Sequence, residues 1–249
     1  MAERSLRVLW LYPEHMNIYA DRGNIAVLER RCRWRGIGFE LERAGPGDEL
    51  TPGDQDLLYI GGGQDRDQAL VAGDLVERKR EAIAASLERG AAMLAVCGGY
   101  QLLGRGYALP SGELLPGLAL VDAETVREPG PRLIGNVVIE ADLGDGPREL
   151  AGFENHGGRT YLGEGDRPLG RVVSGHGNNG RDGYDGVRRG RLIGTYLHGP
   201  LLPKNSWLAD RLIEWGLEHR GDGPVGLEPL DDRLEREAHE SAVRAALGS

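Results

Sequence analysis

The chain has 249 residues, of which 40% are hydrophobic, so it is long enough to bury the core of one large α/β unit. Its formal net charge of −9 argues against a nucleic-acid partner, because phosphate binding requires a basic surface. Two cysteines, Cys32 and Cys97, are too few for a disulfide-stabilised secreted scaffold. The sequence shows no signal-type apolar region and no apolar stretch of membrane-spanning length. We therefore expect one cytoplasmic domain over residues 1–249.

The first hundred residues alternate between apolar runs and amphipathic segments. Strands are predicted at Leu6–Tyr12, Phe39–Arg43, Asp56–Ile60 and Ala91–Val96, and helices at Asn24–Arg35, where Asn24 is the expected N-cap, and Asp74–Arg89. Strands that alternate with helices in this way predict an α/β fold, with a central, mostly parallel sheet flanked by helices.

The second half of the chain is richer in strand-like segments separated by Gly, Asp and Pro turns. These segments are Leu118–Val126, Leu133–Ala141, Glu149–Leu162, Gly170–Gly175 and Leu192–Leu197. We expect them to continue the same sheet in an antiparallel or mixed arrangement. A helix is predicted at Asn205–Glu218, and from about residue 220 a charged, partly helical tail is expected to pack on the surface or on a partner.

Cys97 lies between a predicted buried strand and the sequence Gly98-Gly99, which can open a helix. A cysteine at such a turn faces the positive end of the helix dipole, which is expected to lower its thiol pKa and expose the sulfur. The two glycines allow the sharp turn of a nucleophile elbow. Cys97 is therefore the candidate nucleophile, whereas Cys32, on a helical face, is expected to be a buried structural cysteine.

His198 follows the apolar run Leu192–Leu197 and so lies at the carboxyl end of a predicted strand, where open α/β sheets carry their chemistry. A neutral imidazole at this place would take the thiol proton and later deliver it to the departing ammonia. His198 is therefore the candidate base. The competing histidines are His156 and His176, in glycine-rich loops, and His15, His219 and His239.

Gly61-Gly62-Gly63 directly follows a predicted strand. Beside a reactive thiol, such a loop is expected to offer backbone N–H groups to an oxyanion; a plain turn is the alternative. The sequence contains neither the spacing of a phosphate-binding loop nor that of a dinucleotide fingerprint. It also lacks the ligand spacing of a metal site.

Together these motifs resemble the class I (triad) glutamine amidotransferases, in the branch shared with cobyric acid synthase. The resemblance rests on Gly61-Gly62-Gly63, on Cys97-Gly98-Gly99-Tyr100-Gln101 and on the segment 194–199. Three longer segments, 60–69, 152–160 and 197–205, resemble the glutaminase subunits of lipid II isoglutaminyl synthases. The similarity extends from Leu11 to about Leu217, so the fold of that class is expected for nearly the whole chain.

The resemblance implies a subunit that hydrolyses L-glutamine through a thioester on Cys97. It also implies a Mur-ligase-like partner, MurT, which would form a heterodimer with this chain. The partner would use ATP and magnesium to amidate the D-glutamate α-carboxylate of lipid II in peptidoglycan synthesis. No cofactor is expected in this chain itself.

Matching the family motifs residue by residue also assigns roles in the site. The backbone amides of Gly62 and Gly98 would form the oxyanion hole, and Gln101 and Arg132 would hold the glutamine. A guanidinium is suited to grip the α-carboxylate with two hydrogen bonds, although a solvated strand-edge residue is the alternative for Arg132. Two further residues would line the site: Asn155 and His156.

One position departs from the family pattern. Most class I members carry a glutamate two residues after the histidine, where this chain has Pro200. Either Cys97 and His198 work as a dyad, or an acid comes from the partner. Because the glutamate is missing, a catalytically idle binding module is an alternative to an active glutaminase. A separate alternative concerns the acceptor of the ammonia, which could be another molecule such as a corrin precursor.

Overall fold

The computed structural model describes residues 4–219 and 224–248. Its strands, in chain order, are β1 (Ser5–Leu11), β2 (Gly38–Ala44), β3 (Leu57–Ile60), β4 (Ala92–Val96), β5 (Gly106–Ala108), β6 (Leu114–Pro116), β7 (Ala123–Val126), β8 (Leu133–Asp142), β9 (Pro147–His156), β10 (Arg159–Leu162), β11 (Gly170–Ser174), β12 (Tyr184–Asp185), β13 (Val187–Arg189) and β14 (Leu192–Thr195). The α-helices are α1 (Arg22–Trp34), α2 (Asp65–Asp74), α3 (Arg80–Glu88), α4 (Gly98–Gln101), α5 (Ser206–Glu218) and α6 (Arg233–Leu247).

The central sheet has six strands in the order β13-β14-β4-β3-β1-β2. All neighbouring pairs are parallel except β13–β14, so the predicted mostly parallel sheet is confirmed. Every residue of β3, β4 and β14 is buried. Successive side chains of a strand point to opposite faces, so both faces of the sheet are covered here. The carboxyl ends of these parallel strands form one edge, which carries the chemistry described below.

The prediction that the second half continues the central sheet is wrong for most of its strands. Only β13 and β14 join that sheet, whereas the others form two four-stranded sheets in the orders β10-β7-β5-β6 and β12-β11-β8-β9. The physical reason lies in the side-chain pattern. Residues of β7, β8 and β11 alternate between buried and solvent-facing positions, which suits a sheet with one wet face rather than one covered on both sides.

Several predicted boundaries also move. The helix expected at Asp74–Arg89 begins nine residues earlier, because α2, a π-helical turn at Leu75–Lys79 and α3 follow one another without a break. The segment 118–126 is a strand only in its last four residues, and the segment 149–162 is divided into β9 and β10 by the turn at Gly157-Gly158. The helix α1 begins at Arg22, so Asp21, not Asn24, is its N-cap residue.

The predicted C-terminal tail contains the helix α6, whereas residues 220–223 and 249 lie outside the described residues. This helix contacts β8, β9 and the short 3₁₀ turn Leu202–Lys204. Ser174 and Asn136 donate hydrogen bonds to carbonyl groups in its last turn. Among helices in the described ranges 4–219 and 224–248, none combines the length and hydropathy that a bilayer crossing requires.

Candidate active site

Cys97 occupies a strained turn between β4 and α4. Its backbone has φ 50° and ψ −105°, a combination that a residue with a Cβ adopts only when its surroundings enforce it. Two hydrogen bonds do so: Cys97 N–H donates to Thr195 O over 2.8 Å, and Gln101 N–H donates to Cys97 O over 3.0 Å. The sharp strand-to-helix turn predicted from the glycines is therefore present.

The environment of the thiol differs from the sequence prediction. Cys97 is only 4% exposed, so the sulfur is not displayed to solvent as expected. Burial and, after it, the charge of Asp21 raise the pKa of the thiol. Arg132 and the Gly98 amide oppose them, and the resulting pKa is about 12. The predicted lowering by a helix dipole is wrong because α4 has only four residues, too few to offset the loss of water.

The glycine loop Gly61–Gly63 packs directly against the turn that carries Cys97. A Cβ on Gly99 would lie 2.8 Å from the carbonyl oxygen of Gly61, and a Cβ on Gly62 would lie 3.4 Å from the Cβ atom of Cys97. Only glycine allows the two segments to approach so closely. The amide of Gly98 points at the Cys97 thiol, as an oxyanion donor should, but the amide of Gly62 donates to the carboxylate of Asp21 over 2.7 Å.

His198 follows β14, which is the parallel neighbour of β4, so base and nucleophile leave adjacent strands at the same edge of the sheet. Backbone hydrogen bonds of 3.0 Å in both directions tie His198 to Phe153. Burial, helped by His156 and by the positive charges of Lys204 and Arg132, lowers the pKa of the imidazole to about 4. The ring is therefore neutral near pH 7, the state that a general base requires.

No acid orients this imidazole within the described residues, where both ring nitrogens lack a hydrogen-bond partner. Pro200, at the family's usual acid position, lies against the first turn of α1: its Cγ is 2.7 Å from the Cβ position of Gly23. The nearby buried carboxylate of Glu154 serves another histidine, since its Oε2 lies 3.6 Å from His156 Nε2.

A cavity of about 420 Å³ opens beside Cys97, within the range of small-molecule sites. It brings together five of the predicted site residues: Cys97, Gln101, Arg132, Asn155 and His156. The β8–β9 hairpin explains this grouping, because its register places the start of β8 opposite the end of β9 and so sets Arg132 beside Asn155 and His156. Of the other three predicted residues, Gly62 and Gly98 lie beside Cys97. The ring of His198 lies against that of Tyr19, a residue that lines the cavity.

Residues 7–206 match the CobB/CobQ-like glutamine amidotransferase domain. The chain belongs to this family. It is 38% identical to the subunit GatD of lipid II isoglutaminyl synthase from Staphylococcus aureus, over 97% of this chain and 96% of that protein. The GatD subunit of Streptococcus pneumoniae is 35% identical over 94% of this chain and 89% of its own length. These relatives confirm the resemblance predicted from the motifs.

Solved structures support the fold of this amidotransferase. The chain aligns with a glutamine amidotransferase from Thermotoga maritima at a TM-score of 0.54 and 19% identity, over 97% of this chain and 96% of that one. A PurLQS structure from the same organism aligns at a TM-score of 0.58 and 21% identity, over 85% of this chain and 95% of that chain. The predicted α/β fold of the class I amidotransferases is thereby confirmed.

The two side chains predicted to hold glutamine, Arg132 and Gln101, are already hydrogen-bonded to neighbouring residues. Arg132 donates from Nε to Asn155 Oδ1 and from Nη2 to Asn155 O, both over 2.7 Å. Gln101 donates to Tyr196 OH over 3.1 Å and accepts from Gln68 Nε2 over 2.9 Å. These bonds fix the orientation of both side chains in the cavity. Their roles in holding glutamine stay predictions.

His156 is held on three sides. Its ring stacks on Tyr196 with centroids 3.5 Å apart and planes 9° apart, Nδ1 lies 2.8 Å from Gly158 O, and Nε2 faces Glu154. Burial lowers its pKa, which keeps the ring neutral. Neither ring nitrogen is directed to the thiol by these contacts, so the geometry favours a lining role over that of a competing base.

Sequence reasoning missed several residues of the site: Ile18, Tyr19, Asp21, Asp65 and Gln68. Of these, Gln68 had the clearest signal, since it lies in the segment 60–69 that carries the resemblance, three residues after the start of α2. Asp21 had a misleading one, because an Asp before a helix is normally read as an N-cap. Among residues 4–219 and 224–248, no group of three or more His, Cys, Asp or Glu side chains is arranged to hold a metal ion.

Proposed function

We propose that this chain is the glutaminase subunit of a lipid II isoglutaminyl synthase. One observation carries the catalytic part: Cys97 lies on a strained turn at a cavity that also holds Arg132 and Gln101. The similarity to GatD subunits over nearly the whole chain supports lipid II as the acceptor of the ammonia. In this role the chain hydrolyses L-glutamine, and the ammonia goes to a partner that amidates the D-glutamate α-carboxylate of lipid II.

The reaction proceeds in two halves. Cys97 Sγ attacks the γ-carbonyl carbon of glutamine while His198 takes the thiol proton, and the amides of Gly98 and Gly62 stabilise the oxyanion. Collapse of the tetrahedral intermediate breaks the C–N bond, and the proton on His198 leaves with ammonia. Water, deprotonated by the same imidazole, then attacks the γ-glutamyl thioester and releases glutamate. Arg132 holds the α-carboxylate throughout.

The acceptor half of the proposal requires a second protein. We propose a Mur-ligase-like subunit, MurT, that binds ATP and magnesium and forms a heterodimer with this chain. The proposal puts the reaction in the cytoplasm, where ATP is available to that partner. Ammonia would form in the cavity beside Cys97 and would have to reach the partner before it is lost to solvent.

The test is amidation of lipid II by the purified complex with glutamine, ATP and magnesium, followed by mass spectrometry of the product. Cys97→Ala in the complex is expected to abolish glutamine-dependent amidation but to retain amidation from added ammonium chloride. Retention of the ammonia-dependent reaction shows that the partner and the assembly are intact. A complex that releases ammonia from glutamine but leaves lipid II unchanged overturns the acceptor and favours another one, such as a corrin precursor. A complex with no glutaminase activity favours an idle binding module.

A further inference from the structure

The segment between β1 and α1, residues 12–21, reaches both halves of the catalytic machinery. We call it the β1–α1 loop. Its residues Ile18 and Tyr19 line the cavity beside Cys97, and Ile18 N–H donates to Gly62 O over 3.2 Å. The loop is therefore bound to the glycine loop as well as to the cavity.

At its end the β1–α1 loop places a carboxylate on a catalytic amide. Asp21 is fully buried, and its Oδ2 accepts the backbone N–H of Gly62 over 2.7 Å, while Oδ1 has no partner among the described residues. The same Oδ2 lies 3.1 Å from the Cβ position of Gly62, and Cys97 Cβ lies 3.4 Å from that position. The carboxylate thus lies close to the nucleophile.

This contact competes with catalysis. Gly62 N–H is one of the two amides assigned to the oxyanion hole, and a single N–H cannot serve both a carboxylate and a developing oxyanion at full strength. A charge-assisted hydrogen bond of this kind is stronger than a neutral one. Burial raises the pKa of Asp21 to about 7, so the carboxyl is partly ionised near neutral pH. In its ionised form it also opposes ionisation of the neighbouring thiol. The arrangement therefore holds Cys97 in its less reactive state.

The base is affected by the same loop. The ring of Tyr19 lies against the imidazole of His198 with centroids 4.4 Å apart, and Tyr19 OH accepts a hydrogen bond from Asn155 Nδ2. Neither nitrogen of His198 has a hydrogen-bond partner among residues 4–219 and 224–248. Tyr19 therefore contacts the base and also lines the cavity that would hold the substrate.

The backbone of the loop is strained. Three of its non-glycine residues lie in the left-handed region, at φ 52° for Tyr12, 53° for Tyr19 and 61° for Ala20. Side chains with a Cβ rarely adopt this conformation, so the loop gives up part of its stabilisation to stay in place. Backbone strain of this kind clusters at active sites and in switch segments.

We propose that the β1–α1 loop is an autoinhibitory latch: Asp21 occupies the Gly62 amide and Tyr19 covers His198 until the loop withdraws and the thioester can form. The proposal rests on the proposed glutaminase function. It identifies the two contacts that must break before turnover, and it predicts that the isolated subunit is held back by its own chain.

The first experiment measures glutaminase kinetics of the full chain. Loss of one oxyanion donor lowers kcat about 10²–10³-fold in other hydrolases. Release of the Gly62 amide in Asp21→Ala is therefore expected to raise kcat by about 10-fold or more, with little change in KM. Asp21→Asn keeps an acceptor but loses the charge, so a smaller rise is expected. Tyr19→Ala, which uncovers His198, is expected to raise kcat in the same direction.

The second experiment separates the amide contact from charge alone. Iodoacetamide alkylates a cysteine thiolate by displacement of iodide and needs no bound glutamine. Asp65 also lines the cavity and also acts electrostatically on the Cys97 thiol, but it does not contact Gly62. Asp65→Asn and both Asp21 variants are expected to speed alkylation of Cys97, whereas the rise in kcat is expected to be clearly larger for the Asp21 variants than for Asp65→Asn. An equal rise in kcat for Asp65→Asn overturns the latch in favour of a general charge effect.

The remaining outcomes are equally decisive. If kcat falls in Asp21→Asn and Tyr19→Ala while circular dichroism and Tm stay unchanged, the loop supports the site and the latch is wrong. These two variants carry the test if Asp21→Ala fails to fold. If no form, alone or in complex, hydrolyses glutamine, the proposed function fails and the latch fails with it, whereas a glutaminase whose kcat does not rise in the Asp21 and Tyr19 variants overturns the latch alone.

Discussion

The backbone N–H of Cys97 donates to the carbonyl oxygen of Thr195 over 2.8 Å, so the nucleophile and the segment that carries the base are joined through the sheet. The bond extends the parallel ladder in which Val96 faces Thr195. Three residues later the chain reaches His198. Because hydrogen bonds of the central sheet set this spacing, the dyad is held by one of the most rigid parts of the fold.

The assignment of Cys97 can be tested by covalent labelling. The glutamine analogue diazo-oxo-norleucine is expected to alkylate Cys97, and Cys97→Ala is expected to abolish ammonia release from glutamine. Cys32 is a matched control, because it is buried as well and its pKa is also raised to about 12 by burial. It does not line the cavity, so peptide mapping should find it unlabelled. Labelling of Cys32 in place of Cys97 contradicts the assignment.

Arg132 is expected to act mainly in substrate binding. A hydrogen bond to a charged group contributes about 1.5–3 kcal/mol, and the exposure of Arg132 favours the lower end of that range. Arg132→Ala should therefore raise KM and lower kcat/KM roughly 10-fold, whereas Arg132→Lys should lose less because it keeps the charge. Arg66→Ala removes a cation from the lining of the same cavity and should have a smaller effect. Equal losses in Arg66→Ala and Arg132→Ala would remove Arg132 from its role.

The sequence predicts the central sheet and the placement of Cys97 and His198 at its edge, because both depend on local patterns. Buried apolar runs mark β1, β3, β4 and β14, and residues that follow such strands must meet at one edge. The contact of Asp21 with Gly62 is different in kind. It depends on how the β1–α1 loop folds over a neighbouring strand, and no local pattern encodes that path.

The acidity of Cys97 shows how a local rule can fail. A helix start favours the thiolate, but four residues of α4 supply little dipole, whereas loss of water around the sulfur favours the thiol strongly. The separate sheets of the second half fail for a related reason. Strand-like patterns predict that strands form, but pairing partners depend on contacts between segments far apart in the chain.

Asp185 should make stability depend on pH. It is fully buried, and burial raises its pKa from 3.8 to about 7, against the hydrogen bond donated by Thr195. The folded chain therefore keeps this proton up to about pH 7, while the unfolded chain releases it near 3.8. Since the folded state binds more protons over that interval, the free energy of unfolding falls as pH rises through it, by at most about 4 kcal/mol for this group.

Asp185→Asn isolates the contribution of Asp185 to the pH dependence of the free energy of unfolding. The variant keeps an acceptor for Thr195 but cannot ionise. The difference in free energy of unfolding, variant minus wild type, should increase from about pH 4 to about pH 7 and then level off. Urea unfolding at several pH values measures it. A difference that is independent of pH, or that decreases as pH rises, contradicts the buried neutral carboxyl.

The third member of the triad is expected to come from the partner. An imidazole that takes a thiol proton becomes a cation, and a carboxylate on its far nitrogen normally orients and stabilises it. Around His198 the cations that act on the ring are Lys204 and Arg132, and both disfavour the imidazolium. Pro200 offers neither an acceptor side chain nor a backbone N–H. An Asp or Glu on the docked ligase would supply what this environment lacks.

The consequence is a weak glutaminase alone and a much stronger one in complex, before ATP or lipid substrate is added. A general base contributes about 10²–10⁴-fold, and an acid that orients it should account for a substantial part of that factor. Each partner Asp and Glu near docked His198 is replaced by Asn or Gln, and ammonia release is measured together with complex formation by size-exclusion chromatography. One variant should lose the stimulation while still binding, because the amide cannot stabilise the imidazolium. If every variant binds and keeps full glutaminase activity, then Cys97 and His198 act as a dyad, and the stimulation must arise from withdrawal of the β1–α1 loop instead.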